Sequence, residues 1–152
     1  MKKKVFFLIT IYVLCFSSRI NAQNNNSEKQ IIEMLRKFYT EYNYIYSIKP
    51  PLTLQVLDSK LDSLMMKYCT SKLRKKAKKC LEDESDLLTN DFPGIHSFEI
   101  IKIEKDSTIE NDYIVNYTTS NMNASRKLIK QKVVLHVSVV KENEKYLISN
   151  VK

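Results

Sequence analysis

Residues 130–140 read "KQKVVLHVSVV". Val133, Leu135, Val137 and Val139 fall on one side of this run, and His136 and Ser138 on the other. That two-residue period belongs to a strand with one face buried. It recurs in "SFEIIKIE" (97–104), "DYIVNYTT" (112–119) and "KYLISNV" (145–151). The joining segments, such as "KDSTIEN" and "KENE", are short and polar, as hairpin turns are. Parallel strands would need long crossovers, so the four strands predict an antiparallel meander.

Before His96 the period is helical. Ile31, Leu35, Phe38, Tyr39, Tyr42 and Tyr46 recur at three- and four-residue steps, predicting an amphipathic helix over about 28–46 with an aromatic second half. Ser27 and Gln30 have capping-box spacing for its start. Pro50 and Pro51 end it, because neither can donate a backbone bond. Leu57, Leu61, Leu64, Met65 and Tyr68 predict a second helix over about 58–68. Thr70 or Ser71 can cap a third, running to about Asp83 with Leu73, Ala77, Cys80 and Leu81 inward. Helices first and strands last predict an α+β fold: N-terminal helices packed on a curved four-stranded antiparallel sheet.

The beginning of the chain reads as an address. Lys2, Lys3 and Lys4 precede an apolar run, Val5 to Phe16, and "SSRINA" follows. This is the pattern of a signal peptide over 1–22, cleaved near Ala22, too short to span a membrane. Export to the periplasm or the cell exterior is the expected outcome, with 23–27 ("QNNNS") a polar tether and 28–152 one domain. The whole chain has a net charge of +8. Without the leader, 21 Lys/Arg face 17 Asp/Glu, so half of that charge belongs to the address. Cys15 leaves with it. Cys69 and Cys80 sit about 16 Å apart if one helix carries both, so no disulfide is expected.

In "KLRKKAKKCLEDESD" (72–86) the basic residues surround the narrow stripe Leu73–Ala77–Cys80/Leu81. They read as a solvated helix face; the alternative is an immunity-type protein of the periplasm that binds another protein through this face, with Lys75, Lys76, Lys78 and Lys79 the docking residues. Glu82, Asp83, Glu84 and Asp86 would partly cancel their field, with Lys78–Glu82 and Lys79–Asp83 at pairing distance. This order of charges opposes the helix dipole, at a cost of about a few tenths of a kcal/mol per residue. Nucleic acid is not an expected partner; a small molecule or another protein is.

Metal and cofactor motifs are missing from the sequence. Two cysteines and the separated His96 and His136 make no zinc spacing, and the single glycine, Gly94, excludes a glycine-rich phosphate loop. His136 and Ser138, with Asn116 and Thr118 of the preceding strand, could instead form a polar patch able to hold a small ligand. Glu99, Tyr113 and Asp91 near the helix–sheet junction are further candidates. His136 or Asp91 would be the general base if the chain is an enzyme. Ser107, in "DST" (106–108), matches a three-residue acceptor for O-glycosylation, or is plain turn chemistry.

Taken together, "FYTEY" (38–42), "LDSLMMKYCTSKL" (61–73), "LLTND" (87–91) and the four closing strands resemble the bacterial exported domain-of-unknown-function family 3828. The most specific word is "KYCT" (67–70). The resemblance implies the cone fold of the nuclear transport factor 2-like superfamily, in which a curved sheet wraps helices around a pocket. That superfamily includes isomerases and dehydratases with an Asp or His base, and many pure binding modules. The family's aspartate-rich aromatic stretch is reduced here to Asp91 and Phe92.

Overall fold

The computed structural model describes residues 26–83, 85–89, 98–122 and 128–152. The expected leader (1–22), most of the expected tether and the candidate Asp91 lie outside them. The chain divides into two units, residues 1–31 and 32–152. Of the first, only the opening of a helix is described, and the account below concerns the second.

Helix α1 is described over 26–47, so Ser27 lies within it and is not its cap. The cis Lys49–Pro50 peptide and Pro51 then separate it from α2 (Leu54–Tyr68), which begins four residues before the predicted start. The early part of α2 is almost entirely solvent-facing, so it carries no apolar stripe that a periodicity reading could find. Only Leu61, Leu64, Met65 and Tyr68 are buried. Helix α3 (Ser71–Glu82) follows after two extended residues, and the Thr70 hydroxyl caps it by accepting from Leu73 N at 3.3 Å. No described helix is long and apolar enough to cross a membrane.

The four strands are β1 (Phe98–Lys105), β2 (Asp112–Met122), β3 (Leu128–Glu142) and β4 (Lys145–Val151), in the order β1-β2-β3-β4 and all antiparallel. The expected α+β arrangement is the observed one: three helices packed against an open four-stranded sheet. Bulges at Ile100/Lys102 and Ser138/Val139 interrupt the ladder. Such insertions increase the local twist and bend of the bulged strand. Asn143 and Glu144 both adopt positive φ, which closes the tight β3–β4 hairpin between Glu142 and Lys145.

The inner face of the sheet carries Ile103, Tyr113, Val115, Tyr117, Leu135, Val137, Val139, Ile148 and Val151, all buried. The helices supply Leu35, Phe38, Tyr39, Leu61, Met65 and Leu73 to the core. Phe38 contacts the rings of Tyr39, Tyr42 and Tyr68 with centroids 5.0–5.9 Å apart, which ties α1 to α2. Between α2 and α3 the chain touches β4 directly: Thr70 N donates to Ile148 O at 2.9 Å, and Cys69 forms a parallel bridge with Ile148. Among the described residues Cys69 and Cys80 are free thiols, and burial pushes that of Cys69 up to about 12, so it stays protonated.

Candidate functional site

The polar chemistry inside the core joins tyrosines of the periodic α1 stripe to Asp86 and Thr89, which sequence periodicity passed over. Asp86, only 3% exposed, is not part of a surface acidic run. It turns inward at the end of the segment after α3 and collects three donors. The Tyr42 hydroxyl reaches Oδ2 at 2.5 Å, the Thr89 hydroxyl reaches the same oxygen at 2.7 Å, and Leu88 N reaches Oδ1 at 2.9 Å. The last two bonds span two and three residues and fold 86–89 into a tight turn.

That turn is fastened on both sides. Tyr39 of α1 donates to Leu88 O at 3.2 Å, and Tyr117 of β2 donates to Thr89 O. Tyr46 lies 3.4 Å from Tyr42, so the network runs from a half-buried phenol on α1 to the inner face of the sheet. Its local cause is the aromatic half of α1: tyrosines at core positions need an acceptor for each hydroxyl. That requirement was the available signal, and it could have pointed to an acid or a turn carbonyl facing α1.

The electrostatics follow from burial. Desolvation raises the Asp86 carboxyl above its ordinary value, against the pull of Tyr42, Thr89 and the Leu88 and Thr89 backbone. Burial also raises Tyr39 and Tyr42 well above the usual phenol value, with the Asp86 charge adding to it. Both phenols therefore stay protonated and donate. An acid held by its neighbours in this way fixes the 86–89 turn.

The four residues expected to form a patch on β2 and β3 lie on one face of the sheet, and one of the further candidates lies on the other. Asn116, Thr118, His136 and Ser138 share the outer face, where Asn116 pairs with Val134, Thr118 with Lys132 and Ile114 with His136. Glu99 lies opposite Thr118 on the same side. Tyr113 does not belong with them: it pairs with Val137 on the inner face and is buried in the core. The cause is the strand period itself, since residues 113 and 116 differ by an odd number of steps.

His136 has a partner on that outer face. Its Nδ1 lies 3.4 Å from Asp106 Oδ2, with the imidazole 44% exposed. Asp106 is held by its own turn: the Thr108 hydroxyl and amide donate to Oδ1 at 2.6 and 2.8 Å. Those bonds, with the His136 ring a lesser influence, keep the Asp106 carboxyl below its ordinary value. Ser107, between the two, is exposed at the turn. Among the described residues no His/Cys/Asp/Glu group is arranged to hold a metal.

The basic helix also sorts itself. Lys78 Nζ sits 2.7 Å from Asp62 Oδ1 of α2, out of line for a hydrogen bond and so an ion pair, with Arg74 Nε 3.5 Å from the same oxygen. The pairing of Lys78 is therefore between helices rather than along α3 with Glu82, because its side of α3 faces α2. Lys72, Lys75, Lys76 and Lys79 point to solvent. Two open grooves flank α2. One, of about 430 Å³, lies against α1 and is lined by Glu41, Tyr44, Ile45, Ile48, Leu64 and Lys67, with Ser59, Lys60 and Ser63. The other, of about 380 Å³, lies against α3 with Leu54, Asp58, Leu61, Met65, Lys78, Leu81 and Glu82.

No family model matches the chain, and no curated protein matches it in sequence. A crystal structure of a protein of unknown function from Bacteroides thetaiotaomicron is similar in fold, with a TM-score of 0.69 and 22% identity over 90% of this chain and 98% of that one.

Proposed function

We propose that this chain is a binding module that holds its ligand or partner in the open groove between α1 and α2, and that it works after export and removal of the leader. The observation that carries the reading is Tyr44, 66% exposed at the edge of that groove. Beneath it Ile45, Ile48 and Leu64 form an apolar floor, and Glu41, Lys60 and Lys67 form a charged rim. An apolar centre with a polar rim is the anatomy of a recognition surface, and tyrosine is among the residues that most often dominate one. Glu41 is held in place by Lys67 at 3.2 Å and by the Tyr68 hydroxyl at 2.8 Å, so the rim is preorganised. Family 3828 membership, drawn from "KYCT" and its neighbours, belongs to this proposal, since that family includes no established catalyst.

Native mass spectrometry of the protein purified gently from its host tests it. The expected result is a retained ligand or protein with wild type that is lost with Tyr44→Ala, at unchanged stability. A species retained equally by both proteins overturns the groove as its site. The alternative, an isomerase- or dehydratase-type enzyme, is favoured by the His136–Asp106 contact, because a carboxylate on Nδ1 orients an imidazole for general-base work. Turnover unchanged in His136→Ala and Asp91→Ala would remove that reading.

A further inference from the structure

We propose that the outer face of α3 docks a protein surface of opposite charge order, with carboxylates over Lys72, Lys75, Lys76 and Lys79 and cationic groups over Glu82 and Asp83. It rests on the chain being an interaction module but uses a different surface from the groove. The four lysines follow the spacing i, i+3, i+4, i+7, so they form one ridge about 10 Å long, close to a Debye length at physiological salt. All four are exposed, and none makes an ion pair among the described residues. Their basic neighbours Arg74 and Lys78 share the single carboxylate of Asp62. One side of α3 is thus engaged with α2 within the fold, and the other is not.

The order of charges is also unexplained by folding. The first turn of α3 contains no acid, and Glu82 and Asp83 close the helix at its carbonyl end. Lys72 near the amino end and Glu82 and Asp83 at the carbonyl end run against the helix field, while Lys79, in the last turn, runs with it. A partner with the complementary order would gain from each of them at once.

The same features select a protein over a phosphate surface. The ridge is all lysine, whereas bidentate phosphate recognition favours arginine. A continuous plane of phosphates, in a bilayer or a duplex, would lie over Glu82 and Asp83 as well as over the lysines. No large apolar side chain of α3 is exposed, so nothing on this face would enter a membrane.

The test uses the protein as purified from its host and a fluorescent helical peptide bearing four glutamates at the same spacing followed by two lysines. The control is a peptide of identical composition with the order reversed, and vesicles of phosphatidylcholine and phosphatidylglycerol form the third arm. The matched peptide is expected to bind about tenfold more tightly than the reversed one, and to weaken as salt screens the contact. Lys72→Ser/Lys75→Ser/Lys76→Ser/Lys79→Ser should abolish that preference, and Tyr44→Ala should leave it intact. Equal binding of the two peptides, or vesicle binding as tight as the matched peptide, would overturn the proposal and leave the groove reading standing. Loss of binding in Tyr44→Ala alone would move the contact to the groove. Circular dichroism identifies a quadruple variant that fails to fold; Glu82→Lys/Asp83→Lys, which should reduce the preference for the matched order, then decides.

Discussion

Asp86 and Asp106 are both wrapped in hydrogen bonds, yet their carboxyls move in opposite directions. Asp86 lies in the core behind α1, and there desolvation outweighs three donors, so its proton is held more tightly. Asp106 lies at a turn beside the outer sheet face, and there the Thr108 hydroxyl and amide outweigh the covering of its side chain, so its proton is held less tightly. The difference teaches where a carboxylate's partners matter most. Behind α1 they make a costly burial tolerable and lock a turn; at the turn after β1, where Asp106 is itself only 7% exposed, they hold the carboxylate in its charged form.

Removing each acid should therefore have unequal effects. Asp86→Ala strands the Tyr42 and Thr89 hydroxyls and the Leu88 amide, and should cost about 2–4 kcal/mol in urea unfolding. A smaller loss, about 1–2 kcal/mol, is expected for Tyr42→Phe, which removes one bond and leaves Asp86 those from Leu88 and Thr89. Comparable losses for Asp86→Ala and Asp106→Ala would erase the distinction between the two sites.

Acidity separates the two sites by sign. The folded-state value of Asp86 is raised, so its contribution is fully present below the ordinary value near 3.8 and is lost as pH rises through the folded value. Asp106 is lowered, so its contribution is present above 3.8 and lost as pH falls through the folded value. Asp86→Asn should accordingly remove a component of stability that declines with rising pH, and Asp106→Asn one that grows with it. Unfolding curves measured from about pH 3 to pH 7 check both signs, and slopes of the same sign would contradict the assignment. The smallest effect belongs to the β3–β4 hairpin. Asn143→Gly, at a position of positive φ, should change the melting temperature little, since asparagine tolerates that region nearly as well as glycine.

The sheet was legible because its strands obey a simple period: "KVVLHVSVV" puts Leu135, Val137 and Val139 inward and His136 and Ser138 outward, and the structure does the same. The start of α2 was not, because Leu54, Val56 and their neighbours are exposed and leave no stripe. Asp86 was hidden by its neighbours. In "EDESD" it reads as one more surface acid, and only a non-local contact 44 residues away, with Tyr42, turns it inward. Lys78 was misread for a similar reason, since Asp62 competes for it from another helix. Periodicity reports which face of an element is buried, not which polar group waits on the other side.

The central claim is that Asp86 and Tyr42 act as one coupled structural unit in the core. A double-mutant cycle between Tyr42→Phe and Asp86→Ala, read by urea unfolding, tests it most directly. The account predicts that the double variant loses less than the two singles together, with a coupling of about 1–2 kcal/mol. Additive losses, or an Asp86→Ala protein as stable as wild type or more so, would contradict it, because an acid kept for function commonly weakens the fold that carries it.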